Sequence, residues 1–220
     1  MRLRRLAGRE YNGEPPEFIR ADTSWGAVRR GDAPTKDGRG LTTVVEAIVE
    51  KLGGAQTGLL RAADAISAEQ WQTKPDPAMW AAAELTCHLM TVERAVLGAA
   101  DRNVHNPPRA FPLIKRLHLP VGLASSRLFR LKTPVPLDPA LIREKEAMLA
   151  ELRDVRERTL AFIEATSSRD LSVYRWPHPF LGVLNLYEWM EMIAGHEVRH
   201  TKQMREIAAS LPKVVATLQK

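Results

Sequence analysis

Cysteine and long apolar segments are both scarce in this 220-residue chain. A single cysteine, Cys87, excludes an internal disulfide bond, and such cysteine usage is typical of a reducing compartment. The uninterrupted apolar runs are short, as in Ala78–Ala83, whereas a membrane-spanning helix needs about 18 or more apolar residues. The N-terminus also lacks the apolar core of a secretion signal. These absences predict a cytoplasmic protein that has no membrane partner.

Concentrated positive charge is also missing, although the formal net charge is +6. Residues 1–40 hold nine Lys/Arg and six Asp/Glu, a net of +3, and the rest of the chain supplies the other +3. The sequence contains no block of lysine and arginine of the kind that forms a nucleic-acid-binding arm. The short RLRR cluster at residues 2–5 is interpreted as part of a solvated tail. The charge distribution therefore argues against a nucleic-acid partner.

The composition changes near Leu41, and this change predicts three segments. Residues 1–40 are rich in Gly, Pro, Arg and Asp without a sustained period, so they are predicted to be a flexible or loosely packed extension. Residues 41–211 carry helical hydrophobic patterns and form the predicted domain. Residues 212–220 are predicted to be a C-terminal tail.

Four stretches of the domain repeat apolar residues at helical spacing. The first runs from Leu41 to Ile66 and contains a glycine pair that could kink it. The second runs from about Met79 to Asp101, and the fourth from about Leu186 to Ala209. The third begins with Asp138 as a predicted N-cap and Pro139 in its first turn. Its buried stripe is predicted to consist of Met148, Leu152, Val155, Thr159 and Phe162.

The connections between these helices contain most of the remaining prolines. A crossover from Asn106 to Pro136 joins helices 2 and 3, with short helical pieces predicted around Leu113–Leu117 and Ala124–Leu131. Crossovers of this length often serve as a lid or a substrate wall. The turn-rich stretch RWPHPFLG precedes the fourth helix, and no segment alternates with the period of a strand. The sequence predicts an all-α four-helix bundle with a long crossover between helices 2 and 3.

The fourth helix contains the stretch HEVRH at residues 196–200, which fits the H-E-x-x-H pattern of zinc proteases. Side chains at i and i+4 share one helix face, so His196 and His200 can bind one metal ion. The metzincin pattern then requires glycine and histidine where this chain has Gln203 and Glu206. Few residues remain downstream for a third ligand, and the strands that bind a protease's substrate are missing. The sequence therefore argues against a protease.

A third ligand is available upstream. His88 lies on the apolar side of the second helix, between Leu85, Leu89 and Val92. A lone histidine on such a face is usually a hydrogen-bonded core residue. Three histidines converging in an apolar interior would be costly to bury unless a cation satisfied their nitrogens. His88, His196 and His200 are therefore predicted to form a three-ligand site that leaves one coordination position open, as in catalytic metal sites.

Two segments in the expected order resemble the DinB-like (YfiT-type) metalloprotein superfamily. These are KPDPAMWAAAELTCHLMTVERAV, with one histidine, and WPHPFLGVLNLYEWMEMIAGHEVRHTKQMREI, with an H-x-x-x-H-x-x-Q pattern. The resemblance implies a four-helix bundle, often dimeric, with His88, His196 and His200 binding zinc, nickel or another divalent ion. It implies Gln203 on the same helix face. Characterised members resemble thiol S-transferases and a mycothiol-dependent isomerase.

Three functions fit these residues. The first is a metal-dependent enzyme that activates a low-molecular-weight thiol for S-transfer to a small-molecule substrate. The second is a metal-dependent hydrolase that activates water, and the third is a non-enzymatic metal-binding or stress-response module with residues 1–40 as its contact segment. Gln203 and Glu197 are the candidate catalytic residues.

Glu93 and Glu197 could orient a ring N–H group of a ligand histidine, although their angular offset favours a solvated or interhelical role. Arg94 and Arg199 are candidate anchors for an acidic thiol cofactor. His178 could approach the pocket, although a histidine in a turn is more often structural. The remaining residues are interpreted mainly as core or packing residues: Trp80, Trp189, Met192 and Cys87.

Overall fold

Four α-helices account for most of the residues that the structure describes. This computed structural model describes residues 38–126 and 136–212. The helices are α1 (Gly38–Ala63), α2 (Ala82–Val104), α3 (Lys145–Thr166) and α4 (Leu186–Ser210). The prediction of an all-α fold is confirmed. The predicted N-terminal extension and C-terminal tail fall almost wholly outside the described residues, as does the RLRR cluster.

Both ends of α1 and both ends of α2 lie within three residues of their predicted positions. α1 is followed by hydrogen-bonded turns, in which the Asp64 amide donates to the Leu60 carbonyl at 3.0 Å. Two prolines, which cannot continue a helix, separate α1 from α2. In that link the Asp76 carboxylate accepts a hydrogen bond from the Ala78 amide at 2.8 Å. α2 begins where the Glu84 carboxylate accepts the Ala81 amide at 2.9 Å.

The start of the third helix was predicted wrongly. Asp138 caps a separate 3₁₀ helix, Pro139–Leu141, by accepting the Ala140 amide at 3.0 Å. α3 itself begins only at Lys145. An N-cap followed by proline is equally suitable for a single 3₁₀ turn, so the local signal did not specify the length of the element. The predicted stripe is confirmed, because all five of its side chains are buried: Met148, Leu152, Val155, Thr159 and Phe162.

The stretch before α4 is a β-hairpin, where the sequence predicted only a turn. Strands β1 (Arg175–His178) and β2 (Gly182–Asn185) pair antiparallel. Strands of four residues, one of them containing a proline, are too short to show alternation. Asn185 ends β2 and also caps α4, because its side chain accepts the Glu188 amide at 3.1 Å while Glu188 accepts the Asn185 amide at 2.7 Å.

The crossover contains short helical pieces, as predicted. They are 3₁₀ helices at Leu113–Arg116 and Val121–Ser125. The predicted second piece, Ala124–Leu131, extends outside the described residues. None of the helices in the described part of the chain is both long and apolar enough to cross a membrane.

Two apolar clusters fill the space between the helices. α1 packs chiefly against α4, and α2 packs against both α3 and α4. On α4 the first cluster ends at Ala194 and the second begins at Met204. Between them lies a polar layer, because His200, Glu197 and Thr201 are buried on the same helix. The candidate site occupies this layer.

Candidate metal centre

The structure brings the three predicted histidines together. His88 comes from α2, and His196 and His200 come from successive turns of α4. The Nε2 atom of His196 is 3.2 Å from Nε2 of His88 and 3.1 Å from Nε2 of His200. One ring nitrogen from each residue lies within 4.8 Å of the others. Two of the residues, His88 and His200, are buried, and His196 is partly buried.

These separations suit a single cation. Nitrogens bonded at about 2.0–2.1 Å to a tetrahedral ion are about 3.3–3.4 Å apart. The two nitrogen–nitrogen distances in the structure differ from that value by only a few tenths of an ångström. His200 also has the required orientation, because its Nδ1 donates to the Gln203 amide oxygen at 3.0 Å. In the neutral ring this leaves a lone pair on Nε2, which points at the other two histidines.

Burial keeps the rings in the form that binds metal. It lowers the pKa of His88 to about 4. The pKa of His196 is lowered well below its ordinary value, first by burial and then by the neighbouring His200 and His88. Both rings are therefore neutral at pH 7, and no proton has to be displaced from either when a cation binds.

Trp80 borders the three histidines, although the sequence assigned it mainly to the core. Its ring centroid is 5.1 Å from that of His88, edge to face, and 6.2 Å from that of His200, nearly parallel. The indole is only partly buried, and it also packs against the second apolar cluster. Trp80 is thus both a core residue and one wall of the site. The other two predicted core residues, Trp189 and Met192, are buried in the first cluster.

Glu93 and Glu197 contact a buried arginine that the sequence analysis missed. Arg156 of α3 is 1% exposed. Its Nε and Nη2 donate to the two oxygens of Glu93 at 2.8 and 3.0 Å, and Nη2 also donates to Glu197 at 2.9 Å. Its Nη1 donates to the Leu52 carbonyl of α1. This one side chain of α3 therefore contacts all three of the other helices. Arg156 lies four residues after Leu152 and therefore on the apolar stripe of α3. This position in the sequence is the signal that could have indicated a buried arginine.

The charges of this cluster follow from its contacts. Burial would lower the pKa of Arg156, but the carboxylates of Glu93 and then Glu197 outweigh it and raise that pKa, so the guanidinium stays charged. Burial raises the pKa of Glu197 to about 7, against the opposing effect of Arg156. Because Glu197 contacts Arg156, the carboxylate that acts as base in a zinc protease is held in an ion pair here. The two acidic side chains thus have the interhelical role that was one of their predicted alternatives.

His178 has a structural role, as predicted for a histidine in a turn. Its Nδ1 accepts the backbone amides of Phe180 and Leu181, both at 3.1 Å, which closes the hairpin. Burial lowers its pKa to about 4. His178 and Arg199 both lie close enough to His196 to contribute to the lowering of that residue's pKa.

Cys87 and Arg94 are held by neighbours other than the histidines. Cys87 is fully buried, with its Sγ 3.8 Å from the Asp138 carbonyl, and burial raises the pKa of its thiol. A buried thiol with a raised pKa is a poor nucleophile, so its interpretation as a packing residue is confirmed. Arg94 forms an ion pair with Glu151 of α3. Its predicted role as an anchor for an acidic ligand would require this pair to open.

Comparison with known proteins identifies the family of the chain. A sequence profile of the DinB superfamily matches residues 51–204, a range that contains all three histidines. The uncharacterized protein YuaE of Bacillus subtilis (strain 168) is 29% identical over 150 residues, which cover 67% of this chain and 89% of that protein. No solved structure matches the chain significantly. The profile covers well over half of the sequence, and the chain therefore belongs to the DinB superfamily.

Proposed function

We propose that this protein binds one divalent metal ion through the Nε2 atoms of His88, His196 and His200. The observation that carries the proposal is the convergence of these atoms from two helices to 3.1 and 3.2 Å. Ligands that are all imidazole nitrogens suit zinc, nickel, copper and iron, and of these we propose zinc or nickel. A bound ion would act as a Lewis acid that lowers the pKa of a thiol or a water molecule.

We further propose that the reaction is the transfer of a low-molecular-weight thiol to a small electrophilic substrate. The thiol loses its proton to solvent, its sulfur forms a bond to an electrophilic carbon, and the leaving group departs with the electron pair of the broken bond. Thiolate attack needs no carboxylate base once the thiol is ionised. This favours S-transfer over hydrolysis, because Glu197, the acidic residue adjacent to His196, is engaged by Arg156.

The chain's own side chains define the surroundings in which this reaction would occur. Gln203 holds the ring of His200 by accepting its Nδ1–H group. Trp80 excludes water from one side by packing on His88 and His200. The charge of Arg199, close to His196, favours an anionic ligand such as a thiolate.

Metal analysis of protein purified without a histidine tag tests the first part of the proposal. We expect one zinc or nickel ion per wild-type chain and none in His88→Ala. His105→Ala is the matched control, because His105 lies just beyond the end of the same helix with an exposed side chain, and this variant should keep its metal. Circular dichroism should show equal helix content in all three proteins. Wild-type protein without stoichiometric metal, or metal retention in His88→Ala, would refute the proposed site.

A substrate screen tests the second part. Bacillithiol, mycothiol and glutathione are each combined with a panel of electrophiles, and consumption of the thiol is followed with and without a chelator. Turnover that requires both thiol and metal is the expected result. Metal-dependent hydrolysis of an ester or amide without any thiol would instead support the hydrolase. Protein that holds its metal but turns over no substrate would support the non-enzymatic role.

A further inference from the structure

One face of α4 is covered by the crossover between Glu188 and Lys202. Glu188, Gly195 and Lys202 are spaced by seven residues and therefore lie on one stripe of the helix. Residues 117–126, here named the strap, contact all three. His118 Nε2 is 3.0 Å from the Glu188 carboxylate, and the Lys202 ammonium donates to the Ser125 carbonyl at 3.3 Å. The strap is thus held on α4 at both of its ends.

The middle of the strap rests on a glycine. A Cβ atom built on Gly195 would lie 3.3 Å from the Cβ of Ala124 and 3.5 Å from the backbone nitrogen of Ser125. The first distance is tighter than an ordinary van der Waals contact, so a Cβ atom here requires the strap to shift by a few tenths of an ångström, and a branched side chain requires a larger shift. The absence of a side chain at position 195 therefore lets the strap lie directly on the helix backbone.

The strap is also anchored to the hairpin. The Leu119 amide donates to the Leu181 carbonyl at 2.9 Å. Gly182 has a φ of +100°, a backbone conformation that favours glycine, and a Cβ there would be 3.2 Å from the Cβ of His118. The hairpin and the start of α4 thus form a fixed support for residues 117–119, and the position of the strap is determined by the fold.

The strap and the chain that follows the crossover both lie beside the ligand-bearing helices. The strap touches Gly195, the residue before His196. The returning chain places the Asp138 carbonyl 3.8 Å from the thiol of Cys87, the residue before His88. With Trp80 packed on His88 and His200, the three histidines have protein on several sides. Trp80 thus packs on the histidines themselves, and the strap covers the adjoining stripe of α4.

We propose that the strap is a wall of the substrate pocket and that Gly195 determines the pocket's size. This inference rests on the proposed metal site but not on the identity of the thiol. The residue at position 195 sets the distance between the strap and α4, and hence how bulky a metal-binding substrate can be. Gly195 is a specificity-determining residue that acts through Ala124 and Ser125 and does not touch the metal.

The proposal can be tested on cobalt-loaded protein with two azoles of different size, imidazole and 4-phenylimidazole. Both can bind through a ring nitrogen to an open coordination position of the metal. Their dissociation constants are measured from the visible absorption of the cobalt ion. In Gly195→Val we expect 4-phenylimidazole to bind about tenfold more tightly than in wild type, because a moved wall changes pocket size by about a methylene or more. Imidazole, which is smaller than the pocket, should bind within about twofold of wild type.

Gly53→Val is the matched control. Gly53 lies inside α1, and a Cβ there would have no neighbour within 4 Å, so the same helix-propensity change occurs without touching the strap. His118→Ala is a second variant, which releases the end of the strap from Glu188 and leaves the sequence of α4 unchanged. In this variant the dissociation constant of 4-phenylimidazole should change in the same direction as in Gly195→Val. Elemental analysis must show full cobalt occupancy in every protein.

The possible results separate this proposal from the proposed function. The role of Gly195 would be overturned if the dissociation constants of both azoles changed equally, or if neither changed relative to the Gly53→Val control. Wild-type protein that retains cobalt but binds neither azole would overturn the open coordination position and the pocket with it. A size-selective shift in a protein that reacts with no thiol would support the wall and reject thiol transfer.

Discussion

Replacing Arg156 by methionine removes the central charge of the bundle interior. The guanidinium is 1% exposed and donates to Glu93, to Glu197 and to the Leu52 carbonyl. Methionine keeps an unbranched, flexible side chain, so much of the packing around the arginine stem is retained. The two carboxyl groups, by contrast, remain buried without a cation. Their response determines the size of the effect.

The magnitude follows from the cost of neutralising a carboxyl group. At pH 7, protonating a glutamate with an ordinary pKa of about 4.3 costs about 3.7 kcal/mol, from a difference of about 2.7 pH units. Glu197 is about half protonated at this pH even beside Arg156, because burial raises its pKa to about 7, so its complete neutralisation adds little to the cost. The larger loss is at Glu93, because both of its oxygens accept hydrogen bonds from Arg156 and would lose them. We expect Arg156→Met to lower the free energy of unfolding by about 3–5 kcal/mol, a large share of the ~5–15 kcal/mol of a typical domain.

Urea denaturation followed by circular dichroism measures this loss. Arg158→Met is the matched control on the same helix, because Arg158 forms a half-exposed pair with Asp154 and should lose less than about 1 kcal/mol. Combining Arg156→Met with glutamine at both glutamate positions should recover most of the stability, since no unpaired charge is left. A loss in Arg156→Met no larger than in the control, or no recovery in the triple variant, would refute the reasoning.

Two further predictions concern residues beside the histidine cluster. The pKa of His178 is lowered by burial to about 4, against about 6.5 in an unfolded chain, so its contribution to stability is complete above about pH 6.5 and declines towards pH 4, by about 2 kcal/mol at pH 5. Unfolding measurements on His178→Asn, whose amide oxygen can accept the same backbone hydrogen bonds, should lack this part of the pH dependence; an unchanged profile would contradict it. Nickel should quench the fluorescence of the metal-free protein mainly through Trp80, whose ring lies 5.1 Å from that of His88. Trp80→Phe should therefore lose most of the quenching, and zinc, which has a filled d shell, should cause little in either protein.

The helices and the histidine cluster could be predicted because their signals are local and periodic. Apolar residues at helical spacing indicated all four helices. The i, i+4 spacing of His196 and His200 placed them on one face, and the apolar surroundings of His88 directed it inward. Their meeting required only that α2 and α4 be neighbours, which a four-helix bundle makes common.

The features that the sequence did not predict depend on contacts between distant residues. The hairpin at residues 175–185 has strands of only four residues. It is stabilised by the pairing of these two strands and by the packing of its apolar side chains against those of α4. Charged residues surround Arg156 in the sequence of α3, and only its partners on α2 and α4 reveal its buried role. The close contact at Gly195 likewise involves a segment about 70 residues away, which no local pattern reports.

The guanidinium of Arg156 also fixes the axial positions of the helices relative to one another. α3 supplies the guanidinium, and each of the other three helices supplies one acceptor residue to it: Leu52, Glu93 and Glu197. Sliding any helix by one turn would move its group by about 5.4 Å, far beyond the reach of a hydrogen bond. Apolar layers of similar side chains discriminate poorly between such slipped arrangements, whereas this junction admits one axial alignment. The same alignment sets the height at which the ring from α2 meets the two rings from α4.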